Sequence, residues 1–365
     1  MNPLLALLGT RYPIIQAPMA GGPTTPELVA AVCNAGALGS FGFASSSPDQ
    51  IREAMAAARA RTGGPVNANL FIYPPAVTPA QAEVGAAIEA LRPYFEALGS
   101  SPPENVPGPY APDFEAQVAC LLELRPEVLT VHLDAPDAAL VQCFRAVGSV
   151  IGGSATTPAE ARALLAAGVD FIVAQGAEAG GHRGTFLEDT ESGMIGTMAL
   201  TRLLVTDTAD SGVPVVAAGG IMDGAGIAAA MALGAAGVQL GTAFLACPES
   251  GASAVHKAAL PQARDAGTRI TRHFSGKPAR TVRNRFAVDT AAAGLPHLPF
   301  PAQNKLTASL RAASAGAGSG ECMSLWAGQA ASLANPIPAG EIVARLVEEY
   351  RQARRALPES LEPGR

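Results

Sequence analysis

Eight short apolar runs, each followed by an Ala-rich amphipathic stretch, recur along this 365-residue chain, and no other feature limits its folding so tightly. The runs are Ile14 to Met19, Leu38 to Phe43, Val66 to Phe71, Val128 to Leu133, Val150 to Ser154, Asp170 to Gln175, Pro214 to Gly220 and Gly237 to Phe244. Several of the intervening helices open on a capping residue followed by Pro, as in Thr25-Pro26, Ser47-Pro48 and Thr157-Pro158. Pro belongs at a first helical position because its missing N–H has no helical partner there anyway. Continuous rather than alternating apolar runs mark parallel strands buried on both faces. Eight such units predict an α/β fold closed as a TIM (β/α)8 barrel over residues 1–249, with an open doubly wound sheet as the alternative. Two segments break the cadence. A Pro-rich insertion after strand three, about 73–113, carries an expected helix from Pro79 to Leu98, and residues 250–365 read as a C-terminal lid or side domain with a closing helix.

Composition narrows the function. With 48% hydrophobic, 15% charged and only 5% aromatic residues, the core is expected to consist mostly of Ala, Val, Leu and Ile, which excludes disorder as the main state. Twenty-five Lys and Arg against 31 Asp and Glu give a net charge of −6 and no basic stripe, so nucleic acid is not an expected partner. Five scattered cysteines form no ligand spacing; they read as reduced thiols of a cytoplasmic protein, and no metal is implied. The N-terminal run lacks a basic leader and is too short to span a bilayer. The uncharged stretch from Gly224 to Pro248 is long enough to span one. It reads instead as a helix from Gly226 to Leu233, a turn at Gly234 and a strand, so no membrane association is expected.

In a barrel of this kind the chemistry sits just past the carboxyl ends of the strands. After strand seven comes Gly219-Gly220-Ile221, and strand eight carries Gln239-Leu240-Gly241-Thr242. Glycines there let backbone N–H groups close on an anion, and Thr242 adds a hydroxyl, although each cluster alone also fits an ordinary tight turn. After strand six, His182 lies among glycines in Gln175-Gly176-Ala177-Glu178-Ala179-Gly180-Gly181-His182-Arg183-Gly184, with its ring expected to be free to meet a ligand. An imidazole of ordinary pKa about 6.5 makes it the foremost general-base candidate over the plainer reading of a structural histidine. His132, ending strand four, is expected to line the mouth. Strand one turns through Pro18-Met19-Ala20-Gly21-Gly22, where Met19 and its small neighbours leave room for a flat ligand. Asn69 and Gln175 supply amide edges. An apolar mouth with amide edges and a phosphate anchor suits flavin mononucleotide (FMN) better than a sugar phosphate.

Gln16-Ala17-Pro18-Met19-Ala20-Gly21-Gly22, the loop from Gln175 to Gly184, Pro214 to Ile221 and Gln239 to Thr242 together resemble the nitronate monooxygenase family, formerly the 2-nitropropane dioxygenases, over nearly the whole chain. Ser275 to Arg280 and Met323 to Gln329 are similar to the C-terminal part of class I members. The resemblance implies FMN-dependent oxidation of alkyl nitronates, of the propionate 3-nitronate type, by dioxygen to a carbonyl compound and nitrite or nitrate, without a nicotinamide. It implies His182 as the catalytic histidine, taking a carbon-bound proton from a nitroalkane or holding nitronate oxygens. Asn69, Gln175, Gly180, Gly219 and Gln239 to Thr242 match flavin-contacting positions. Thr201-Arg202-Leu203-Leu204 stands where the family pattern has a Val-Pro pair, and Phe300-Pro301 where it has Tyr-Pro; the second leaves substrate identity open.

Two other functions fit the same residues: an FMN-dependent reductase of an enoyl thioester or quinone, and a binding barrel that keeps the site without turnover. No Gly-x-Gly-x-x-Gly opens a helix after a strand, so the usual nicotinamide site is missing. The implied partners are a small nitronate and dioxygen; spacing sets no oligomeric state.

Overall fold

The computed structural model describes residues 2–75 and 77–356. Its central sheet is β1 (Ile14–Gln16), β2 (Gly39–Gly42), β3 (Val66–Phe71), β4 (Val128–His132), β5 (Val150–Ala155), β6 (Phe171–Gln175), β8 (Val215–Ala218) and β9 (Gly237–Leu240), with β7 (Gly181–His182) lying outside it. All neighbours pair in parallel, in the order β1-β9-β8-β6-β5-β4-β3-β2. Leu38 closes the ring: its N–H donates to Ile14 O at 2.9 Å and its carbonyl accepts from Gln16 N–H at 2.9 Å. The expected barrel is therefore formed, and the open sheet is not.

The helices begin where their caps dictate. Thr25 accepts from Leu28 N–H, Thr157 from Glu160 N–H, and Ser47 forms a reciprocal capping box with Gln50. Some strands are shorter than their apolar runs. The first ends at Gln16 rather than Met19, because Pro18 has no N–H for the ladder, and the eighth barrel strand, β9, ends at Leu240, where Thr242–Phe244 winds into a 3-10 turn. The uncharged stretch splits into a helix, Gly224–Ala232, and strand β9. No helix among the described residues is long and apolar enough to cross a membrane. All five cysteines are free.

Alternation along each strand separates the two faces. On β3, Val66, Ala68 and Leu70 pack outward into the largest apolar cluster, while Asn69 and Phe71 face the mouth. The N-terminal helix Pro3–Leu8 seals the opposite end, with Leu4 and Leu8 packed on Ile15, Val128, Phe171 and Val216.

The insertion and the C-terminal part share one core. Val84, Leu91 and Phe95 of helix Gln81–Ala97 pack with Phe274, Phe286, Leu298, Leu306 and Leu310 above the barrel mouth. The last helix, Ala339–Ala356, returns to the barrel wall, burying Ile342, Val343 and Leu346 against Leu28 and Ile227. A second sheet, β10 (Thr268–Thr271) and β11 (Ala279–Val282), runs antiparallel and accepts β7 at its edge.

Candidate active site

The carboxyl ends of the barrel strands and the lid enclose a cavity of about 570 Å³, within the roughly 300 to 1,000 Å³ of ordinary ligand sites. Met19, Asn69, Gln175, Gly180, Gly219, Gly220 and Gln239 to Thr242 line it, and both His132 and His182 face it, whereas Gly22 and the loop residues Gly176 to Glu178 do not.

One side of the cavity is built to receive an anion. Among the described residues, the backbone N–H groups of Gly219, Gly220, Gly241 and Thr242 have no protein acceptor. Gly219 and Gly220 hold φ of +120° and +71°, conformations in which side chains are strained. A Cβ on Gly219 would also lie 2.8 Å from Thr197 Oγ1 and 2.9 Å from Ala179 N. The Thr197 backbone N–H donates to Glu178 Oε2 at 2.8 Å, and its hydroxyl, 2.9 Å from Gly219 O and 2.8 Å from the same Oε2, has one proton for the two, which together fix the turn. The Thr242 hydroxyl accepts from Gly328 N–H at 2.9 Å, so its own proton remains available to donate. Gly180 has a packing reason to be glycine: a Cβ there would lie 2.5 Å from the carbonyl carbon of Ala327.

His182 is not on a free loop, as its flanking glycines had led us to expect. It pairs with Ala279 across β7 and β11, and Gly181 pairs with Arg280. Its carbonyl accepts from Gln175 Nε2 at 2.9 Å and from His132 Nε2 at 3.2 Å, while Gln175 Oε1 accepts from Gly184 N–H at 2.7 Å. The Gln175 amide thus lines the cavity but is already engaged in holding the His182 backbone. Arg183, fully buried, clamps the same loop through the carbonyls of Gln175, Gly176 and Gly193.

The ring of His182 has one fixed partner. Its Nε2 lies 2.9 Å from Ser275 Oγ, and Ser275 Oγ lies 3.1 Å from the carbonyl of Lys277, which can only accept. We assign the serine proton to Lys277 O, which places the imidazole proton on Nε2 and the lone pair on Nδ1. Around the ring stand Phe71, Phe300 and Trp326, with centroids 5.4 to 5.9 Å away. Tyr73 stacks on Phe300 at 5.4 Å.

Burial pushes His182 down to about 3, and repulsion from His132 when that ring is protonated, and from the cations Lys277 and Arg311, pushes the same way. Burial likewise lowers His132 to about 4 against the favourable bond to the His182 carbonyl. The mouth is thus locally electropositive in a chain of net charge −6, and both imidazoles are neutral near pH 7. Among the described residues no three His, Cys, Asp or Glu side chains group as a metal site. Ser275, Arg311 and Trp326 were not singled out from the sequence as site residues. They sit about 90 to 145 positions beyond His182, and only the fold brings them to it.

Asn69 sits in the mouth with Nδ2 donated to Thr130 O at 3.1 Å and Thr130 Oγ1 at 3.0 Å. Gln239 has no side-chain partner among the described residues and lines the cavity beside Gly241. Taken together, the barrel, the row of unpaired N–H groups and the pinned imidazole define an α/β-barrel enzyme whose cavity presents free hydrogen-bond donors.

Comparison with known proteins specifies the class. The nitronate monooxygenase family, as a sequence model, matches residues 2–349. A nitronate monooxygenase of Pseudomonas aeruginosa is 45% identical over 349 residues, covering 94% of this chain and 98% of its own. One from Paraburkholderia phytofirmans is 44% identical over 361 residues, covering 96% and 95%. Among solved structures, a nitroalkane oxidase from Streptomyces ansochromogenes superposes with a TM-score of 0.88 at 39% identity over 97% of this chain and 99% of its own. FabK from Thermotoga maritima superposes with a TM-score of 0.73 at 27% identity over 96% of each chain. The chain belongs to the nitronate monooxygenase family.

Proposed function

We propose that the protein binds FMN in the barrel mouth and oxidises alkyl nitronates, of the propionate 3-nitronate type, with dioxygen to a carbonyl compound and nitrite or nitrate. The observation that carries this reading is the convergence of two features on one cavity: unpaired N–H groups of Gly219, Gly220, Gly241 and Thr242, and a neutral histidine held at fixed orientation. Family membership supports it.

The residues present fit FMN. The unpaired N–H groups and the Thr242 hydroxyl would hold its phosphate, and Asn69 and Gln239 would meet the polar edge of its ring. Met19, Gly180 and Leu240 would lie against its faces and edges, with the engaged amide of Gln175 setting the height of the His182 loop. When bound, FMN supplies the electron-accepting ring for oxidation of the nitronate.

This chain's own part is binding, orientation and charge. The positive groups around His182 favour an anion, so the substrate is expected to arrive as the nitronate. An anion at Nδ1 raises the imidazole pKa again, and His182, taking a proton from water as the anion enters, holds a nitronate oxygen through Nδ1–H. An imidazole held near 3 is a weak base towards a carbon acid, so neutral nitroalkanes are expected to be the poorer substrates. The stacked pair Tyr73 and Phe300, with Trp326, excludes water from the reacting face.

An FMN-dependent enoyl reductase is the second reading, because one barrel with the same anchoring loops can serve either chemistry. Two measurements separate them. Oxygen uptake on addition of propionate 3-nitronate, with no anaerobic bleaching of the yellow protein by a reduced nicotinamide, is expected here. Rapid bleaching without nitronate-driven uptake would establish the reductase.

A further inference from the structure

Arg311 is a cation in the cavity wall without a counter-charge among the described residues. It projects from helix Ala308–Gly316 of the lid and lines the cavity beside Asn304, Phe300 and Ser324. Its Nη2 donates to Asn304 O at 2.8 Å and Asn304 Oδ1 at 2.9 Å, its Nε to Thr307 O at 3.3 Å and its Nη1 to Ser324 Oγ at 3.4 Å. Every one of these acceptors is neutral. Arg311 takes part in none of the ion pairs among the described residues. Burial lowers its pKa to about 10, and its charge depresses the neighbouring His182.

Charges removed from water are normally paired, because desolvating one alone is unfavourable by several kcal/mol. Arg183 also clamps backbone carbonyls, but Glu160 and Glu178 stand near enough to offset its charge, whereas no carboxylate among the described residues does so for Arg311. The contacts leave an N–H of Nη1 and both protons of Asn304 Nδ2 without an acceptor among the described residues, next to the Ser324 hydroxyl.

We propose that Arg311, with Asn304, holds a carboxylate at the far end of the substrate, so that the site selects nitronates bearing a carboxylate tail over those with a plain alkyl tail. The proposal rests on the nitronate reading above for its substrate and on the cavity alone for its anion.

The test uses the flavin-loaded protein and two matched pairs: propionate 3-nitronate against propane 1-nitronate as substrates, and succinate against butyrate as unreactive analogues followed by titration calorimetry. Arg311→Gln is expected to lower the ratio of kcat/KM for the carboxylated over the plain nitronate by about 10- to 100-fold, and to weaken succinate by a similar factor. Arg311→Lys keeps the charge but loses the fork, and is expected to fall between wild type and Arg311→Gln. Should Arg311→Gln fail to fold, the lysine variant carries the same comparison. An unchanged ratio with unchanged succinate affinity, or an equal loss on both substrates, overturns the proposal. Succinate binding that depends on Arg311, in a protein that oxidises neither nitronate, would leave the anion site standing and remove the nitronate reading instead.

Discussion

Replacing Ser275 by Ala removes one atom from the account and exposes its proton bookkeeping. Ser275 is fully buried, gives its proton to Lys277 O and accepts the Nε2 proton of His182 at 2.9 Å. In Ser275→Ala that Nε2–H has no acceptor. Leaving a buried donor unpaired is unfavourable by about 1 to 3 kcal/mol. Since about 1.4 kcal/mol is tenfold, kcat/KM for propionate 3-nitronate should fall roughly 5- to 150-fold. The sign of the pH effect is also set. Ser275 accepts a hydrogen bond that strengthens when the ring is protonated, so its loss lowers the imidazole pKa further; because the protonated ring is the one that donates to the nitronate, the alkaline limb of the kcat/KM profile moves to lower pH. The assay is initial oxygen uptake at saturating and limiting nitronate across pH, with a thermal melt to show that the fold survives. A variant within twofold of wild type at every pH would refute the assigned tautomer and the positioning role together.

Other outcomes follow from the same geometry. Gly219→Ala places a side chain at φ +120° and 2.8 Å from Thr197 Oγ1, so denaturant unfolding should show a loss of roughly 1 to 3 kcal/mol, with weaker retention of FMN on dialysis. Burial holds His132, His182 and His256 at about 4, 3 and 4 when folded, below the ordinary 6.5. Below pH 6.5 the unfolded chain therefore binds protons that the folded one refuses. Their contribution to stability is level above about pH 7 and falls as pH drops towards 4, by up to about 1.4 kcal/mol per pH unit for each ring. Chemical denaturation between pH 8 and 5 measures this, and stability that rises on acidification would reverse the sign.

The barrel was legible because parallel strands covered on both faces need uninterrupted apolar runs, as in Val215 to Ala218 and Phe171 to Ala174. Helix starts were legible for a local reason as well: Thr25, Ser47 and Thr157 each close a hydrogen bond within three residues. The rim glycines and His182 could be placed because barrel chemistry sits past the strand ends. The fixing of His182 was not legible. Its two-residue strand has no periodicity, and its partner Ala279 lies far along the chain in a segment whose pattern belongs to the lid. The same holds for Arg311, which in sequence is one basic residue on an amphipathic helix and becomes a cavity wall only once the lid core around Phe274 and Leu310 is packed. Gln175 was read by residue type, yet its amide turned out to be engaged by backbone groups seven and nine residues later.

The most direct measurement compares wild type with His182→Asn, recording the flavin spectrum and oxygen uptake on propionate 3-nitronate in the same preparations. Both proteins are expected to be yellow with equal FMN content, and the Asn variant to consume oxygen at least about 100-fold more slowly. An Asn variant that holds its flavin and turns over at the wild-type rate would contradict this expectation.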